Sequence, residues 1–260
     1  MNKEYQKKIL VLALYAGELM MKSGAEIYRV ESTIVRICRA CKIPYVECFA
    51  TGTGIFLSLD TGKAGDDMYT FLKRIESTSI DLWKISEINN FSRMFSTTDL
   101  SVEEGLLLLK KIEAHKNYGL PLNYLGASLV GPSFCLMFGG GFLDALCTLF
   151  AVTATYSVSL LIGRLRFDNF IRIFISCAFA SGLALVLSGL HFISHIDPVI
   201  IGAVTIFLPG VAITNSARDL LSGEMLAGMA RGTEAIISAI AIASGVGSIL
   251  QLWQVAGGIL

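Results

Sequence analysis

The chain has 260 residues with 21 basic and 21 acidic side chains, so net charge gives no electrostatic case for binding nucleic acid. Its 53% hydrophobic content and mean hydropathy of +0.64 are averages over two unlike parts. Up to about residue 118 there are 16 Lys/Arg and 15 Asp/Glu; from Gly119 to Leu260 there are five basic residues, six acidic residues and no lysine. A soluble domain is about one quarter charged, so the second part is built for lipid. The expectation is a cytoplasmic α+β domain over 1–118 and a helical membrane domain of about five spans over 119–260.

In chain order, Tyr5 to Met21 reads as a helix. Its apolar run, Ile9 to Gly17, imitates a signal peptide, but Glu18, Lys22 and Glu26 follow without a small-residue cleavage site, which points to a buried helix. Ser23-Gly24-Ala25-Glu26 has the spacing of a capping box and predicts a helix from Gly24 to about Cys41, with Ile27, Val30, Ile34 and Ile37 on its buried face. After Pro44 the period changes to two. Tyr45–Thr51 and Ile55–Asp60 read as strands joined by a turn at Thr51–Gly54, and Met68–Ile75 offers a third. Asp81–Met94 and Ser101–His115 read as helices, the second opened by a capping box at Ser101 and Glu104.

Little in this domain points to catalysis. Thr51-Gly52-Thr53-Gly54 lacks the Gly-Lys-Ser/Thr of a phosphate loop, and no nucleophile–base pair is recognisable, so neither a cofactor nor an enzyme is expected. Cys38 and Cys41 form a C-x-x-C with Cys48 nearby, but there is no second ligand pair for a metal. They read as small apolar residues, as do Cys135, Cys147 and Cys177. Glu26, Tyr28, Arg29 and Glu31 form a dense polar cluster, which is either a binding or gating site facing the membrane domain or a set of surface pairs along one helix.

Five apolar runs follow: Leu120–Phe138, Leu143–Ile162, Phe170–Leu190, Pro198–Thr214 and Ala235–Val255. Each approaches the roughly 20 residues that cross a bilayer. Lys110, Lys111 and Lys116, then Arg164, Arg166 and Arg172, then Arg218 and Arg231 mark alternate connections as cytoplasmic. Gly139–Gly141 and His191–Asp197 then lie outside, and His191 and His195 read as loop residues. Two runs look broken. One holds Gly131-Pro132 and ends at Gly139-Gly140-Gly141, with Asp144 behind it. The other breaks at Leu208-Pro209-Gly210 and continues through Asn215, Arg218, Asp219 and Glu224. Such breaks expose backbone groups, and transporters build substrate and ion sites around them; close helix packing is the plainer alternative.

Two of these segments carry a family resemblance. Ser23-Gly24-Ala25-Glu26-Ile27-Tyr28-Arg29-Val30-Glu31 resembles the N-terminal signature of the threonine/serine exporter family. Leu208-Pro209-Gly210, Asn215, Arg218-Asp219-Leu220 and Gly223-Glu224 resemble its membrane motif. The chain is similar to the larger component of the split form of that family, which works with a smaller membrane protein. The resemblance implies a multi-pass protein of the cell inner membrane, in a hetero-oligomer, exporting threonine- or serine-like amino acids or small carboxylates on an ion gradient. Some split systems are associated with dicarboxylates such as succinate.

The chemistry of the residues agrees in outline. A carboxylate substrate calls for a cationic partner, and Arg218 is the candidate; Asp219, Glu224 and Asp144 are acids able to carry a coupling proton. Asn215, Pro209 and Gly210 complete the predicted transport site, and Ser23, Gly24, Glu26, Arg29 and Glu31 the motif of the N-terminal domain. The competing readings are a non-transporting membrane scaffold or regulator and a membrane-bound hydrolase using the N-terminal carboxylates.

Overall fold

A computed structural model describes residues 3–60, 62, 68–76, 78–115, 118–165 and 167–257. Lys116 and Arg166, invoked above for topology, lie outside the described residues. The chain divides into two compact units, Met1–Asn117 with Ile213–Gly232, and Tyr118–Ala212 with Thr233–Leu260. The segment holding Asn215, Arg218, Asp219, Glu224 and Arg231 thus folds as part of the first unit.

The first unit opens with helix α1 (Lys3–Lys22) and helix α2 (Ile27–Ala40). Ile9, Leu12, Ala13, Ala16 and Met20 recur at helical spacing on α1 and are fully buried, as are Ile27, Val30, Ile34 and Ile37 on α2. The apolar run from Ile9 is therefore core. Between the helices the predicted capping box at Ser23 is absent, and α2 starts at Ile27 instead of Gly24. Ser-Gly here ends the preceding helix: Gly24 takes φ +80° while the Ala25 N–H donates to the Met20 carbonyl at 3.1 Å, closing α1 with a Schellman turn.

Strands β1 (Tyr45–Thr51), β2 (Gly54–Asp60) and β3 (Tyr69–Arg74) form an antiparallel meander in that order. The register runs from Tyr45 opposite Asp60 to Thr51 opposite Gly54, and from Gly54 opposite Arg74 to Leu59 opposite Tyr69. Period-two alternation puts Ile55, Leu57 and Leu59 of the central strand into the core. Helices α3 (Leu82–Thr97) and α4 (Val102–Ala114) complete the layer. The capping box on α4 forms as the sequence predicts: Ser101 Oγ accepts from the Glu104 N–H at 3.2 Å, and Glu104 Oε2 accepts from the Ser101 N–H at 2.8 Å.

The second unit contains helices α5 (Leu120–Met137), α6 (Phe142–Arg164), α7 (Asn169–Gly189) and α8 (Ile196–Val204), the last extended by a 3₁₀ turn at Thr205–Phe207. Helix α9 (Gly210–Leu221) and helix α10 (Met225–Val255) follow, with residues from 213 to 232 belonging to the first unit. Among the described residues four helices are long and apolar enough to cross a membrane, α5, α6, α7 and α10, and a fifth span results if the bent pair α8–α9 counts as one. Their surfaces expose Leu125, Leu129, Leu143, Phe150 and Ile236, a coat suited to lipid. Two buried hydroxyls bond back to their own helices, Thr148 to the Asp144 carbonyl at 2.7 Å and Ser181 to the Cys177 carbonyl at 2.9 Å.

Of the two expected breaks, only one is present. Helix α5 runs unbroken through Pro132, since a single proline removes one N–H from the ladder and the flanking turns persist. Gly131 serves packing: a Cβ there would lie 2.9 Å from Val152 and 3.2 Å from the Gly202 carbonyl. The break before α9 is real. Leu208 is extended, φ −61° and ψ 127°, as the residue before a proline prefers, and the helix resumes only at Gly210.

Candidate functional site

The N-terminal motif and the Asn215–Asp219 part of the second motif meet in one polar cluster within the first unit. Helix α9 is closed by a turn at Gly223, whose φ of +89° lets the Glu224 N–H donate to the Asp219 carbonyl at 2.8 Å. Helix α10 then returns alongside it. Ser216 Oγ donates to the Gly228 carbonyl at 2.6 Å, and Cβ atoms at Gly228 and Gly232 would meet Leu220 at 2.6 Å and Ser216 Oγ at 2.9 Å, so both glycines are needed for this close approach.

The hairpin addresses the α1–α2 turn group by group. Asn215 Nδ2 donates to the Gly24 carbonyl at 3.0 Å, and Arg231 donates to the Ala25 carbonyl at 2.6 Å. Asp219 Oδ1 accepts the Ile27 N–H at 3.1 Å, an unpaired donor at the start of α2. Asp219 therefore does, from 192 residues away, the capping that the sequence assigned to Ser23. Its side chain is fully buried, and its second oxygen lies 3.2 Å from Arg231 Nη1, an ion pair without hydrogen-bond alignment. Asp219 and Arg231 are thus both committed to holding the turn.

Glu26 sits at the centre, its side chain 5% exposed. Arg218 Nη1 donates to its Oε1 at 2.6 Å, while Arg29 places Nη2 3.3 Å from Oε1 and Nε 3.2 Å from Oε2. Burial opposes ionisation of Glu26, but hydrogen bonds from its own backbone and Arg218, with the charges of Arg29 and Arg218, outweigh it and hold the carboxyl below its ordinary value. Tyr28 OH accepts from Arg29 at 3.5 Å. Arg218 remains 54% exposed and Arg29 34%. Glu31 is turned elsewhere: it accepts the Ala50 N–H at 2.7 Å, and burial, reinforced by the nearby Glu224 charge, pushes its carboxyl above the usual range. Of the predicted residues, Gly24, Glu26, Arg29, Asn215, Arg218 and Asp219 share one cluster, and Ser23 is buried beside it with its carbonyl accepting the Asp81 N–H at 3.1 Å. Arg231 is an addition. In the sequence its charge reads only as a cytoplasmic marker, since its partner at Ala25 lies 206 residues away.

Asp144 lies elsewhere, in the second unit, on the first turn of α6. It is 1% exposed and accepts the N–H groups of Gly141 at 2.9 Å and Ser194 at 2.8 Å. His195, a loop residue as its sequence context predicts, places Nδ1 2.9 Å from Asp144 Oδ2 and so pairs with a buried acid. Pro209 and Gly210 form the break itself. Among the described residues no group of three or more His, Cys, Asp or Glu could hold a metal. The thiols of the C-x-x-C region are pushed up by burial, Cys41 to about 11 and Cys48 to about 12, as packing residues would be.

Comparison with known proteins finds relatives that match along most of the chain. The family model described as "Putative threonine/serine exporter" matches residues 11–253. The chain is 25% identical to a protein of Escherichia coli K12 named "Probable succinate transporter subunit YjjP", over 99% of both chains. It is 24% identical to the "Threonine/serine exporter" of Corynebacterium glutamicum and 24% identical to the "Probable threonine/serine exporter" of Mycobacterium tuberculosis. Those matches take in 95% and 93% of this chain but only 52% and 46% of the two relatives, so the chain spans about half their length. No solved structure matches. With a family match across nearly its whole length, the chain belongs to the threonine/serine exporter family, a family of membrane transporters.

Proposed function

We propose that this chain is the larger subunit of a secondary transporter that exports a small carboxylate-bearing solute, completed by a smaller membrane protein in a hetero-oligomer of the inner membrane. In this proposal the N-terminal domain lies in the cytoplasm. One observation carries the reading: the chain aligns end to end with a relative named as a transporter subunit, and with about half of relatives named as exporters. The names point to succinate for the relative of equal length and to threonine or serine for the longer ones. These solutes share a carboxylate. Arg218 is its anchor in this proposal, because its guanidinium is exposed and shaped to grip two carboxylate oxygens. Asp219, Asn215 and Arg231 position it by fixing the hairpin against the α1–α2 turn. The test is uptake of labelled succinate and threonine into everted membrane vesicles, with and without the smaller protein. Uptake requiring both chains is expected; full-rate transport by this chain alone in liposomes would overturn the two-protein reading.

A further inference from the structure

The balance of charge around Glu26 is uneven. Three guanidinium groups, Arg29, Arg218 and Arg231, meet two carboxylates, Glu26 and Asp219. Asp219 and Arg231 answer each other in the buried part of the cluster. The surplus positive charge therefore falls on the pair that shares Glu26, and both of its members reach the surface. Arg218 touches Glu26 through Nη1, one part of a planar fork of five donors. Glu26 is thus an internal carboxylate occupying the guanidinium that a carboxylate ligand would use.

We propose that a substrate carboxylate and Glu26 compete for Arg218, so that loading of the substrate is linked to uptake of one proton by Glu26. This rests on Arg218 being the substrate anchor. The exchange balances: the Arg218–Glu26 ion pair opens, the substrate carboxylate takes over the guanidinium, and a proton from solvent neutralises the released carboxylate. The loaded site carries no more negative charge than the empty one. Neutralisation is required because the Glu26 side chain is 5% exposed and an ionised carboxylate left there with a weaker partner is costly.

The surroundings agree. Facing Glu26 are Arg29 on its own helix, Arg218 and Asp219 on α9, and Arg231 on α10 behind Asp219. On the other side of the turn Asp81 is engaged by the Lys84 N–H and lies 3.7 Å from Lys84 Nζ, while Glu18 is paired with Lys22 and Lys73. Arg218 is therefore the group whose withdrawal changes Glu26 most. With the pair intact the Glu26 carboxyl lies below its ordinary value, and with Arg218 withdrawn burial pushes it back up. Between those two values binding takes up a proton, and affinity rises as pH falls.

The test uses the full chain in lipid nanodiscs, with succinate and threonine as separate probes in isothermal titration calorimetry. For wild type, affinity for the bound probe should strengthen by up to tenfold per unit fall in pH within the window, with proton uptake visible as a dependence on buffer ionisation enthalpy. Glu26→Gln keeps an oxygen acceptor for Arg218 but not the charge; it should bind more tightly at neutral pH, with the slope and the proton uptake gone. Glu26→Asp should keep the slope and reports whether a carboxyl at this place is enough. A wild-type affinity that does not change with pH, a slope that survives Glu26→Gln, or no binding of either probe to wild type and Glu26→Gln would each overturn the proposal. The chain's membership of a two-protein exporter is judged separately by vesicle transport: binding with the predicted slope alongside no transport by the assembled pair would sink that reading and leave this one standing.

Discussion

Replacing Asp219 by alanine should loosen the hairpin that carries Arg218. Two interactions go at once. The Ile27 N–H loses its acceptor at 3.1 Å, a loss of the size of a helix cap, about 1 kcal/mol. Arg231, 17% exposed, loses its partner at 3.2 Å. Stripping one member from a buried pair costs roughly 3–5 kcal/mol, and the partial access of Arg231 to water argues for the lower end, about 3 kcal/mol. These terms overlap, so about 3 kcal/mol is the working figure for undocking, or roughly two decades in the opening equilibrium. Hydrogen–deuterium exchange of the full chain reads this directly. The amides of Ser222, Glu224 and Gly228, bonded to the carbonyls of Arg218, Asp219 and Glu224, should exchange about 100-fold faster, while β2 is unchanged. Asp219→Asn keeps a neutral acceptor for Ile27 and should fall between the two. Exchange within threefold of wild type in Asp219→Ala would show that the hairpin is held by other contacts.

Three further outcomes follow from the packing and the topology. Gly228→Ala puts a Cβ 2.6 Å from Leu220 Cγ and 3.0 Å from its backbone nitrogen, so it should reproduce the faster hairpin exchange by steric means while leaving Asp219 in place. Gly202→Ala meets the Gly131 carbonyl at 2.5 Å and Thr148 at 2.6 Å; with backbone on one side the helices must part, and a cost of about 1–3 kcal/mol should appear as a lower melting temperature and poorer recovery from detergent. In a cysteine-free background, single cysteines at Gly141 and His191 should react with a membrane-impermeant reagent from outside, and a cysteine at Asn169 should not; strong outside labelling at Asn169 would reverse the proposed topology.

The elements were legible where one local pattern has one structural meaning. Alternation in Tyr45–Thr51 and Ile55–Asp60 gave the hairpin, and Ser101 with Glu104 gave the cap of α4, because nothing competes with those readings locally. Ser23-Gly24-Ala25-Glu26 was misread because the same four residues satisfy a helix start and, through the positive φ available to Gly24, a helix end. Pro132 was read as a break because a sequence does not show whether neighbouring turns persist around a proline. The charged continuation after Pro209-Gly210 marked Arg218 and Asp219 as purposeful, yet their partners lie 192 residues away in the chain, beyond any periodicity or spacing rule. The pairing of His195 with Asp144 was hidden in the same way, since 51 residues separate them.

Export by the proposed two-protein complex with Arg218→Lys tests the anchoring role of Arg218 most directly. Lysine keeps the charge, and it can still meet Glu26 as a point cation, so folding and membrane insertion should be normal. What it loses is the planar two-pronged donor that grips a carboxylate. Uptake of the transported solute into everted vesicles should therefore collapse at wild-type levels of inserted complex. Near-normal uptake in Arg218→Lys would remove Arg218 from the substrate site and leave its contact with Glu26 as a structural tie.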